Sequence, residues 1–305
     1  MHLLAAELNP LGHVMDRNII GGPDALLMGD PHGTPIVTMH MLTLLLATGL
    51  LLWIMNLAAK AITTGPSSEG NDRYLTRGRM AQLIEVITLY LRDTVVKPVL
   101  GEKTNKYLPY LLTLFFFVLM NNLLGLVPLL DLQHIVGAFL GDSHFAVIGG
   151  TATGNLAVTG GLALIAFLVI QVHGLRELGL AGWAHHLLGG APWYLAPIMV
   201  PVELLGMFIK PAALAIRLFA NMMAGHTLMA TLALFGLMAL SGMESWIAGL
   251  GISVIAGAFA VAITFLELFV AFLQAFIFMF LTAVFIGQLS PHDHEHEHAA
   301  ETAHA

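Results

Sequence analysis

Cysteine is absent from all 305 residues, which excludes disulfides, thiol catalysis and thiolate metal sites. Charge is scarce: Asp, Glu, Lys and Arg make up 10% of the chain, against roughly 25% in soluble domains. Most of the surface must therefore face lipid or other apolar protein. Gly149-Gly-Thr-Ala-Thr-Gly154 lacks the lysine of a phosphate-cradling loop, so a nucleotide site of that kind is not expected. The first residues carry Glu7, Asn9, Pro10 and His13 where a secretory signal wants a basic start and an apolar core. They also do not read as an Arg- and Ser-rich transit peptide, and a bacterial inner membrane is the expected home. No internal repeat is evident, which leaves inverted-repeat transporter architectures without support.

What the chain has is apolar sequence. It is 57% hydrophobic, with a mean hydropathy of +0.83, and its length allows a bundle of about five to seven spans. The first span is expected from Ile36 to Ala59, ending at Lys60. A Gly/Pro/Ser-rich loop follows at 63–73. From Gly78 to Val96 the residues Met80, Leu83, Ile84, Ile87, Leu91 and Val95 recur at three- and four-residue steps among Arg79, Glu85, Arg92 and Asp93. That pattern predicts an amphipathic helix lying at the interface.

The second span is expected from Tyr107 to Leu130, and a loop at 131–154 precedes a third span from Asn155 to His173. Gly174 to Pro197 reads as a connector. Two long segments, about 197–240 and 245–288, finish the domain, with Ser241-Gly-Met-Glu244 between them. Straight helices of that length would measure about 65 Å, twice the hydrocarbon thickness, so they are expected to tilt, break or protrude. Pro211 offers one bend.

The expected fold is thus all-α and polytopic: five transmembrane helices plus the interfacial helix. Residues 1–35 form an extracytoplasmic segment, 36–290 a single membrane domain, and 291–305 a disordered His-rich, acidic tail. Seven of the twelve Lys and Arg fall between Arg73 and Lys106, which makes that region cytoplasmic by the positive-inside rule. Five crossings then place the N-terminus outside and the C-terminus in the cytoplasm. The tail, Pro291-His-Asp-His-Glu-His-Glu-His298, has the composition of a loose metal binder but reads better as solvated chain.

Arg217 is the most informative residue. It sits in Ala212-Ala-Leu-Ala-Ile-Arg-Leu-Phe-Ala-Asn-Met-Met-Ala-Gly-His226, and no further Asp, Glu, Lys or Arg follows until Glu244. A guanidinium stays charged, and at bilayer depth it costs about 2.5–3.5 kcal/mol on insertion scales. Glu203, Lys210 and Arg217 are spaced by seven, which drifts only about 20° per step, so they share one helix face. Asn221 is offset by about 40° from that face. Glu203 and Lys210 can also be read as snorkelling from a helix end.

His226 lies nearly half a turn out of phase with Arg217 and faces another neighbour. On the last span Glu267 and Gln274 are seven apart and share a face. A carboxylate in lipid needs a partner or water, and His226 is the candidate for a proton-exchange pair. A structural hydrogen bond between helices is the alternative. Asn121 and Asn122 either line a polar cavity or tie helices together.

These residues carry a resemblance. Glu203, Lys210-Pro211 and Leu214 to His226 look like the signature of subunit a of F-type ATP synthases. Leu266-Glu-Leu and Leu273-Gln-Ala-Phe-Ile-Phe278 resemble that subunit's last span, and Thr151-Ala-Thr-Gly-Asn155 its approach to span three. The resemblance begins near Gly78 and leaves the first 35 residues and the tail without counterparts. It implies a non-catalytic, proton-translocating stator facing a ring of subunit c, with two half-channels and no cofactor.

By that resemblance Arg217 matches the essential arginine. Asn221, His226, Glu267 and Gln274 match the outer half-channel, and Glu203 matches the inner one. Some bacterial members carry Glu where His226 stands and His where Glu267 stands; the arrangement here resembles mitochondrial members. Ala213 replaces a Ser found in some members. The implied partners are the c-ring, peripheral stalk subunit b, the rest of the ATP synthase, lipid and protons, with no nucleic acid. The rival reading is an independent secondary transporter or cation channel. A metal transporter with a His-rich sensor tail rests on the tail alone, and Arg217 would repel its cation.

Overall fold

A computed structural model of the chain describes residues 18–20, 37–62, 76, 78–127, 133, 152–188, 193–242 and 245–289. The expected loop at 63–73, most of that at 131–154, nearly all of the N-terminal segment and the tail at 291–305 lie outside the described residues.

The described part is all-α except for one short ribbon. Strand β1 (Asn18–Ile20) pairs antiparallel with β2 (Val37–Thr38), Asn18 opposite Thr38 and Ile20 opposite Val37. The first span was expected to begin at Ile36. It begins at Met39 instead, because the β-branched pair Val37-Thr38 is taken up in the ribbon.

Helix α1 (Met39–Ile62) ends with Lys60 in its last turn. Its buried residues His40, Thr43, Ala47 and Leu51 form a stripe at three- and four-residue steps, and Ala58 continues it two turns on. Leu45, Leu52 and Trp53 point outward on the other face. Helix α2 (Arg79–Tyr90) starts at Gly78, whose φ of 105° favours glycine. It runs without interruption into a π-helical turn, Leu91–Val96, and then α3 (Lys97–Leu100). The π turn buries Leu91, Val95 and Val96 in the core. Helix therefore continues past the expected end at Val96, stopping where Gly101 adopts a φ of 53°.

After a 3-10 turn, Gly101–Lys103, helix α4 runs Thr104–Leu126. It ends four residues before the expected Leu130. The cause is Pro128, which pushes the preceding Val127 to extended geometry, ψ 124°.

A buried 3-10 turn, Ala152–Gly154, leads to Asn155, whose side chain accepts from the Ala157 amide at 2.9 Å and caps α5 (Leu156–His186). Gly174 onward was expected to be a connector, yet the helix continues to His186 across a kink at Gly179. Two contacts hold this extension: Glu177 bonds Lys103 and Lys106, and the Trp183 indole donates to Gln171 at 3.2 Å. A short 3-10 turn, Trp193–Leu195, precedes the two long helices, α6 (Ala196–Gly242) and α7 (Trp246–Gln288).

Five helical segments are long and apolar enough to cross a membrane, and the chain is a multi-pass membrane protein. Its core joins the π turn to α4, α5, α6 and α7 through Leu111, Phe115, Leu218, Phe278 and Ile286, with Ala163, Ala166, Ala215 and Ala275 at the contacts. Small residues let helices approach closely where lipid gives no hydrophobic drive to pack. The end of α7 returns to the basic segment. A Cβ on Gly287 would lie 3.0 Å from the Val99 carbonyl, and one on Gly174 would lie 3.0 Å from Leu289.

Candidate functional site

The site is the seam between α6 and α7, which lie antiparallel. Gly249 packs on the Ala239 carbonyl, and Ser253 donates to the Gly236 carbonyl at 2.6 Å. Thr264 meets the sulfur of Met229 at 3.4 Å, and the Lys210 ammonium lies 5.2 Å from the Phe285 ring centroid. This register sets Glu267 beside Gly225.

Arg217 does not point into the protein. It is exposed on α6, while its neighbour Leu218 and, one turn on, Met222 are fully buried. Ala213, Ala220 and Ala224, the positions one turn before, one turn after and two turns after it, are also exposed. The guanidinium thus stands on a shallow strip of methyl groups, and among the described residues it has no ion-pair partner. Lys210 is exposed and Glu203 half-buried on the same helix.

The buried side of the seam is polar. Glu267 is 4% exposed and Gln274 3%, both on the face of α7 turned into the protein. Neither Glu267 oxygen has a hydrogen-bond partner; the same holds for Nδ2 of Asn221, Nε2 of Gln274 and Oδ1 of Asn121. The Glu267 carboxyl lies flat against α6, since a Cβ on Gly225 would come within 2.6 Å of its Cδ. Glycine is needed there for space rather than for backbone conformation.

The expected His226–Glu267 pair needs refinement. The carboxyl reaches α6 one residue away from His226, but no hydrogen bond joins them. His226 is half-buried on α6. His40 is buried at the start of its span, and sequence reasoning missed it: a lone histidine near a helix end is indistinguishable from an interfacial one until α1 is packed.

Asn122 and Asn121 separate in role. Asn122 Nδ2 donates to the Ala271 carbonyl at 3.2 Å, and Thr153 Oγ1 donates to Asn122 Oδ1 at 2.9 Å. Asn121 donates to the Phe117 carbonyl of its own helix at 2.8 Å. A second polar group, also unforeseen, lies where α4 begins and α5 nears its kink. Lys103 and Lys106 reach Glu177 at 3.0 and 3.1 Å, and the Tyr107 hydroxyl bonds His173. Among the described residues no group of three or more His, Cys, Asp or Glu is placed to hold a metal ion.

Residues 37–287 match the family described as ATP synthase A chain. ATP synthase subunit a of Myxococcus xanthus is 41% identical over 249 residues, 81% of this chain and 73% of the relative. ATP synthase subunit a 2 of Prosthecochloris aestuarii is 37% identical over 299 residues, 98% and 78% of the two chains. Subunit a of Chlorobium phaeobacteroides strain BS1 is 36% identical over 301 residues, 98% and 76% of the two chains.

Proposed function

The chain belongs to the ATP synthase A chain family, and from that premise we propose that its α6–α7 seam is the proton-conducting face of the stator, set against a turning ring of subunit c. One observation carries this reading. Arg217 is a permanent cation in an apolar helix, exposed on a strip formed by Ala213, Ala220 and Ala224. Small side chains admit another helix closely, and a cation at that depth calls for an anion on whatever arrives. A ring carboxylate meets both demands.

The proton path follows from the buried side. Polar atoms cut off from partners are costly in an apolar medium, so the groups at Glu267, Asn221 and Gln274 require water or a moving proton. A proton entering from the outer side passes His226 and Glu267 and neutralises a ring carboxylate, which can then face lipid. On the cytoplasmic side Glu203 accepts the proton released from the next carboxylate, and Arg217 stabilises the anion left behind. Its charge also repels protons and keeps the two paths from joining. Each unit charge crossing 100 mV supplies about 2.3 kcal/mol, and several together turn the ring. The chain itself makes no bond in ATP. Peripheral stalk subunit b holds it against the torque. The basic segment around Arg79 to Lys106 lies in the cytoplasm and the first span starts from outside.

The test is Arg217→Ala in the whole complex. ATP-driven acidification of inverted vesicles should disappear while hydrolysis by the soluble head stays measurable. Normal pumping by that variant removes the proposal.

A further inference from the structure

We propose that Asn122 and Thr153 form a positioning clasp that fixes the rotation of α7, so that its proton-carrying face meets α6. The inference rests on the reading of Glu267 as a proton carrier. The clasp joins three elements: Thr153 Oγ1, on the turn before α5, donates to Asn122 Oδ1 of α4 at 2.9 Å, and Asn122 Nδ2 donates to the Ala271 carbonyl of α7 at 3.2 Å. All three residues are fully buried. A carbonyl oxygen has two lone pairs, so Ala271 accepts this amide without giving up its helical bond.

The position of Ala271 gives the clasp its consequence. It comes four residues after Glu267 and three before Gln274, so the three positions span only about 60° of the helix circumference. Close packing at Gly249 and the small residues Ala271 and Ala275 already bias that rotation, while Phe265, Leu266, Phe269 and Phe272 cover the outward side of α7. The hydrogen bond adds a directional constraint at the level of the proton-carrying face, which contact between methyl groups does not supply. Slipping α7 by one residue would turn Glu267 by about 100°, away from Gly225.

The assembled complex in lipid vesicles provides the test, with ATP-driven acidification measured across a range of external pH and normalised to the amount of assembled complex. Thr153→Val keeps the side-chain shape but loses the donor, and Thr153→Ser keeps the donor. The double variant Asn122→Leu/Thr153→Val removes both ends, leaving no orphaned polar group between them to unfold the chain. Thr153→Val and the double variant should pump about tenfold more slowly per complex and shift the pH of half-maximal pumping, and Thr153→Ser should restore both. Normal pumping per complex with an unchanged pH profile, in either variant, overturns the clasp and leaves it a purely structural contact. Glu267→Gln separates the two levels. If it pumps like the parent, the proton-carrier reading fails and takes the clasp with it; if it is impaired while the clasp variants are normal, only the clasp fails.

Discussion

At the scale of single residues, the polar positions in apolar runs were legible because each is expensive. Arg217, Glu267 and Gln274 stand out for that reason alone, and the seven-residue spacing of Glu203, Lys210 and Arg217 was enough to put them on one face. Which residues they meet was not legible, because that depends on how α6 slides along α7. A buried carboxylate's need for a partner favoured His226 for Glu267, whereas the carboxyl rests on Gly225. Gly225 gave no signal among 31 glycines. Its role makes a sharp prediction. Gly225→Ala would force the Glu267 carboxyl, the movable end of a side chain, to shift, while the helices stay in place. Misplacement of a reacting group by about 1 Å can cost on the order of a hundredfold in rate, and here a loss of at least about tenfold in pumping is expected at normal chain abundance. Adding Glu267→Asp, which shortens the side chain, should recover part of it. Parent-level pumping by Gly225→Ala would show that the carboxyl need not lie where it does.

At the scale of elements, the long final helices were read correctly because the few polar residues and prolines in 197–240 and 245–288 are isolated within long apolar runs. Where boundaries were misjudged, a tertiary contact or a single proline decided the matter. Pro128 ended α4 early, and Glu177 with its two lysines carried α5 through a segment whose Gly and His content reads as loop. The hairpin between α6 and α7 depends on contact between backbones that composition cannot reveal. A Cβ on Gly249 would lie 2.6 Å from the Ala239 carbonyl, whereas Gly251, two residues on, has open space around it. Gly249→Val should splay the hairpin, at about 1–3 kcal/mol for an overpacked contact, and reduce the amount of chain recovered in membranes several-fold. Gly251→Ala should leave recovery unchanged. Equal recovery of the two variants would mean that the helices part without penalty.

At the scale of the whole molecule, five alternating spans bring the end of α7 back to the basic segment, and both ionic and apolar contacts join the bundle at that end. Lys103 and Lys106 both bond Glu177, whose side chain is 23% exposed, while that of Lys106 is 61% exposed. Ion pairs this open to solvent contribute little, and they weaken as salt shortens the Debye length. They therefore cannot be the main fastening. The close packing of Gly287 on Val99 and of Gly174 on Leu289 fits that role better, since apolar contact is insensitive to salt. Glu177→Gln separates the two contributions. In low salt it should lower the temperature at which the complex loses pumping by about 1–3 °C, and in high salt the difference from the parent should vanish. Pumping below that temperature should be unaffected, because the group stands apart from the α6–α7 seam. A loss of pumping at ambient temperature, or a salt-independent loss of stability, would mean that this cluster does more than fasten the end of α7.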